Sequence, residues 1–133
     1  MKISEKIEYW LDIADYDIET SHHMQNSHRY LYTVFMCQQA IEKILKALYL
    51  QKFSKEAPPS HNLVYLQSLL DLNLSQTQLQ LLADLTTYYI EGRYPSYKKR
   101  LSSLIGSEKS SEVLERSQEV YQCLRSKIKL QKS

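Results

Sequence analysis

The stretch from Arg29 to Leu50, RYLYTVFMCQQAIEKILKALYL, decides the fold. It holds no Gly or Pro, and its periodicity predicts one helix of about six turns. Apolar residues recur at Tyr30, Val34, Cys37, Ile41, Ile44 and Leu48. Leu31, Phe35, Leu45 and Tyr49 widen that stripe beyond what a surface helix presents, so other helices must pack around it. Midway, Gln38, Gln39, Glu42, Lys43 and Lys46 interrupt the apolar surface, with Gln39, Lys43 and Lys46 spaced i, i+4, i+7 along one face. This polar strip is the first candidate for a binding site. The competing reading is structural: Glu42 and Lys46 form an i, i+4 pair, the two glutamines satisfy buried backbone, and the strip lines a dimer interface.

A chain of 133 residues fits one domain, residues 1–133, long enough to bury roughly two-thirds of the surface its unfolded form exposes. With only two Gly and three Pro, turns are few and the composition points to an all-α protein. The 17 basic and 15 acidic residues leave a formal charge of +2, so any site for a polyanion must be local rather than a property of the whole surface. Two cysteines on apolar helical faces, Cys37 and Cys123, fit a reducing compartment, and a cytoplasmic location is expected. The longest uncharged stretch, Tyr30 to Ile41, is too short to span a bilayer.

Around the central helix the remaining elements follow in order. A first helix, capped by Ser4, turns Ile7, Leu11, Ala14 and Ile18 inward and Asp12, Asp15, Asp17 and Glu19 to water; it ends in the polar run Ser21–His28, where Ser27 caps the next helix. His22, His23 and His28 lack the i, i+3 or i, i+4 spacing of helical metal ligands, and no metal is expected. Pro58-Pro59 enforces an extended connection, and a short helix runs from about Asn62 to Asp71 with His61 hydrogen-bonding the turn at its start. Ser75 and Gln78 form a capping box for a fourth helix, which Gly92 ends and Pro95 prevents from continuing. A loop around Gly106 leads to a last helix, about Glu108 to Lys129, whose terminal cations suit the negative end of its dipole.

At the break after the fourth helix stand Tyr88, Tyr89, Glu91, Arg93, Tyr94 and Tyr97. A guanidinium among rings can hold a phosphate while a ring stacks a base. Arg93 can equally pair with Glu91 while the rings pack. Lys98, Lys99 and Arg100 follow, read as a solvated turn that raises the local potential.

Tyr9-Trp10-Leu11, Ala14 and Asp17, Arg29-Tyr30, the run Cys37 to Lys43 with Lys46-Ala47, Pro59, His61-Asn62-Leu63 and Arg93-Tyr94-Pro95 together resemble the HEPN domain family over nearly the whole chain. The resemblance implies an antiparallel up-and-down bundle of four long helices plus a short one. It also implies a homodimer, often encoded beside a minimal nucleotidyltransferase in toxin–antitoxin or defence-type pairs. Many such relatives are metal-independent ribonucleases whose Arg is followed a few residues later by a His. Here Lys98, Lys99 and Arg100 occupy those positions, and a side chain ordinarily protonated at neutral pH does not take up a proton as His does.

The expected function is therefore a nucleotide- or RNA-binding module partnered with a minimal nucleotidyltransferase, with Gln39, Lys43, Lys46, Arg93 and Tyr94 as binding residues and no cofactor. The alternatives are a metal-independent endoribonuclease with an altered proton-transfer group, in which Arg93 would be catalytic, and a structural dimerisation adaptor. Tyr94 and Tyr97 are the expected sites should the partner modify a tyrosine.

Overall fold

The computed structural model describes residues 1–129; within it the side chains of residues 95, 97 and 98 lie outside the described set, and with them the expectations placed on the Tyr97 and Lys98 side chains. Among the described residues six helices follow one another: α1 (Ile3–Asn26), α2 (Tyr30–Phe53), α3 (Leu63–Ser68), α4 (Gln76–Glu91), α5 (Pro95–Leu104) and α6 (Ser107–Arg125). The all-α bundle with four long helices is the expected one. α2 is its axis, packing along α1 and touching α3, α4, α5 and α6. Its apolar stripe, Val34, Cys37, Ile41, Ile44, Leu45 and Leu48, is buried against Leu11, Ala14, Leu81, Leu85, Val120 and Leu124 of the surrounding helices.

Several boundaries differ from expectation. α1 starts at Ile3 rather than being capped by Ser4, and continues through the polar run to Asn26. Ser27 closes α1 instead of opening α2, and His28 makes the reversal with a left-handed backbone, φ 60°. α6 ends at Arg125, one turn short of the expected Lys129.

The larger correction is α5. Pro95 stands in its first turn, where its missing N–H costs nothing and its fixed φ suits a helix start. The proline that stops α4 thus begins α5, and Lys99 and Arg100 lie exposed on a helix that Leu101 and Ile105 anchor in the core, rather than on a solvated turn.

Gly92 closes α4 for a reason of space. Its φ is an ordinary −64°, but a Cβ would run into the Phe35 ring and lie 3.0 Å from the Tyr88 carbonyl oxygen.

Candidate nucleotide-binding face

The polar strip of α2 forms one continuous hydrogen-bonded chain. Asp17 of α1 accepts from Lys43 Nζ at 2.6 Å, and Lys43 also donates to Gln39 Oε1 at 3.2 Å. Gln39 Nε2 donates to Gln38 Oε1 at 2.7 Å. Gln38 Nε2 is shared between Glu42 Oε1 and the His61 carbonyl, each at 3.0 Å. Glu42 then takes Lys46 Nζ on Oε2 at 3.1 Å and faces His61 Nδ1 across 2.8 Å on Oε1.

Glu42 is only 3 % exposed, and its polar neighbours explain how a carboxylate survives there. Burial acts to raise its pKa, but the hydrogen bonds from Gln38 and His61 and the charge and hydrogen bond of Lys46 together hold it below the ordinary 4.5. The i, i+4 pair of Glu42 with Lys46 and the capture of a backbone carbonyl by Gln38 are thus present as the structural reading had them, whereas Gln39 bonds the Gln38 and Lys43 side chains and not backbone.

Two acidic residues expected to face water are engaged instead. Asp17 is buried on Lys43. Asp15 binds Arg125 through both carboxylate oxygens at 3.1 Å and accepts the Tyr121 hydroxyl, so Arg125 serves an interhelical pair and not only the helix dipole.

His61 is the junction between this buried chain and the surface. Asn62 caps α3, accepting from the Tyr65 N–H, and the Leu63 N–H donates to the Thr86 hydroxyl of α4 at 3.1 Å. These bonds hold the segment against α4, where the His61 ring meets the Tyr89 ring with centroids 5.2 Å apart. The imidazole side chain is 43 % exposed although its Nδ1 edge is committed to Glu42.

Beyond Tyr89 lies Arg93, its guanidinium carbon 5.9 Å from the ring centroid. Tyr89 is in turn braced by Phe35, and Phe35 by Tyr32, at 6.1 and 5.8 Å. Among the described residues Arg93 forms no ion pair with Glu91 or any other carboxylate. It is exposed, as is Tyr94 at 57 %.

The five expected binding residues therefore fall into two groups. Gln39, Lys43 and Lys46 belong to the internal chain, with both lysine charges already met by carboxylates and Lys46 Nζ also 5.7 Å from the Trp10 ring. Arg93 stands on the open face, joined to that chain through Tyr89 and His61, and exposed Tyr94 follows it at the start of α5. Two surface concavities, of about 270 and 700 Å³, are lined by none of the five. Sequence reading assigned His61 to its own turn and missed its pairing with Glu42. The available signal was a lone Glu in an apolar helix, which requires a cationic or donor partner from elsewhere in the chain.

The three histidines near the α1–α2 reversal take separate partners: His22 meets Gln118, His23 meets Glu19, and His28 meets the Tyr30 hydroxyl. Among the described residues no group of three or more His, Cys, Asp or Glu is placed to hold a metal ion, and no helix is long and apolar enough to cross a membrane.

With this geometry in hand, the class is a helical bundle carrying a Gln-Gln-x-x-Glu-Lys strip and an Arg-Tyr-Pro break on one side. A profile of the HEPN domain family matches residues 7–127, and the chain belongs to that family. It is similar in structure to TT1696 from Thermus thermophilus, at 21 % identity and a TM-score of 0.79, covering 92 % of this chain and 98 % of that one. It is also similar to ST0689, an archaeal HEPN homologue, at 23 % identity and a TM-score of 0.72, with the same coverage of each chain. At these identities the likeness is one of fold. No curated protein matches the chain.

Proposed function

We propose that this chain is a nucleotide- or RNA-binding helical module, one domain over residues 1–133, that forms a homodimer and works in the cytoplasm beside a minimal nucleotidyltransferase in a toxin–antitoxin or defence-type pair. The observation that carries the binding reading is the Tyr89 platform: against one ring stand an exposed guanidinium without a carboxylate partner among the described residues and an anchored imidazole, with exposed Tyr94 following Arg93 in the chain. Arg suits phosphate through its planar fork of donors, and exposed rings suit base stacking. Lys46 supports this face from behind by bonding Glu42, which holds His61, and Gln39 and Lys43 act on Glu42 only through Gln38.

The absence of a His after Arg93 favours binding over the family's Arg/His cleavage chemistry, and the two unpaired thiols, Cys37 and Cys123, fit the reducing compartment. Arg93→Glu replaces the phosphate-seeking charge by its opposite. It should lower affinity for a short RNA or a nucleotide more than tenfold while the far-ultraviolet circular dichroism stays native. Equal affinity in the native and variant chains would overturn the reading.

A further inference from the structure

His61 has an open edge that the binding reading above does not use. Its Nδ1 is fixed by a carboxylate nearly sealed from solvent, its ring is wedged on Tyr89, and its side chain is 43 % exposed. A side chain held in this way presents Nε2 at one place on the surface, on the ring that also carries Arg93. Packing alone gives no reason to end a buried network on a half-exposed imidazole.

We infer that His61 is a second phosphate-contacting residue of this face, donating from Nε2 as an imidazolium, and that Glu42 is the residue that positions it; this rests on the binding reading above. Among the described residues the charged groups linked to the ring are Glu42 of α2, with Lys46 on its other oxygen, and Arg93, which stands against the same Tyr89 ring. Glu42 offers a counter-charge, but Lys46 already occupies its other oxygen. Arg93 opposes a second positive charge beside it. An anion that contacts both Arg93 and His61 at the edge of this face removes that opposition, so the ligand and the proton favour each other's binding.

The expected signature is proton uptake on ligand binding. Affinity for a phosphodiester should rise as the pH falls through the range in which imidazoles titrate, by up to about tenfold per pH unit for one linked proton. The probe is a fluorescently labelled RNA hexamer without terminal phosphates, because a terminal phosphate titrates in the same range. Its dissociation constant is measured from pH 8 to pH 5.5 for the native chain, His61→Gln and Glu42→Gln, with circular dichroism at each pH.

The native chain should tighten at least fivefold over that range. In His61→Gln, which keeps an amide donor for Glu42, the tightening should disappear, and what affinity remains should not depend on pH. In Glu42→Gln the tightening should be smaller while the circular dichroism stays native, an outcome that a merely structural Glu42 would not produce. The same slope in the native chain and His61→Gln overturns this inference and leaves the binding reading standing. No binding by the native chain at any pH overturns both.

Discussion

Glu42 is the residue on which the polar chain turns, since two donors and a cation depend on its two oxygens. Replacing it with Ala leaves the largely buried Lys46 ammonium without its partner. Removing one member of a buried ion pair costs about 3–5 kcal/mol, and urea unfolding of Glu42→Ala should show a loss of that order. Glu42→Gln, which keeps an acceptor oxygen, should lose less. The direction of the Glu42 shift also fixes an acid limb. The folded carboxyl ionises more readily than the unfolded one, so its contribution is complete above the ordinary carboxylate range and is lost as the pH falls through the lower folded value. Unfolding measured between pH 6 and pH 3 should therefore show a steep acid decline that is shallower in Glu42→Gln.

Among the elements, α2 and the capping box of α4 were legible in the sequence because both are local: the one is a periodicity, the other a Ser and a Gln three residues apart. Both halves of that box form, Ser75 accepting from the Gln78 N–H at 3.1 Å and Gln78 accepting from the Ser75 N–H at 2.9 Å. Ser75→Ala should cost about 1 kcal/mol in thermal or denaturant unfolding. α5 was not legible, because a proline after a glycine marks a helix stop and a helix start in the same letters, and only the burial of Leu101 and Ile105 decides between them. The α4–α5 junction tests how packing reaches the site. Gly92→Ala pushes a methyl group into Phe35, which braces Tyr89, which carries Arg93. Overpacking of this kind costs about 1–3 kcal/mol, and the variant should bind RNA more weakly than native even at temperatures where it is fully folded.

At the scale of the whole molecule, the interhelical pairs were hidden for a simple reason: Lys43 and Asp17 lie 26 positions apart and Arg125 and Asp15 lie 110 apart. Nothing in a window of one or two turns distinguishes an aspartate on such a pair from one in water. The core also holds a neutral thiol. Burial pushes Cys37 up to about 11 from the ordinary 9.0, partly offset by the Ser117 and Ser21 hydroxyls. Burial likewise raises Tyr121, reinforced by its hydrogen bond to Asp15. Both groups ionise first in the unfolded chain, so their stabilisation is complete below their ordinary values and is lost as the pH rises through the folded ones. Stability should fall as the pH rises from 9 to 11, and less steeply in Cys37→Ala.

The most direct test of the binding face is a nuclear magnetic resonance titration of the isotope-labelled chain with the RNA hexamer, following the Arg93 side-chain Nε–H, the His61 ring and the backbone amides together. The largest shifts are predicted at Arg93, Tyr94, Tyr89 and His61, with smaller ones at Glu42 and Lys46 behind them. Shifts confined to another surface, such as the concavity at His28–Tyr32, with Arg93 and His61 unmoved at saturation, would contradict the account.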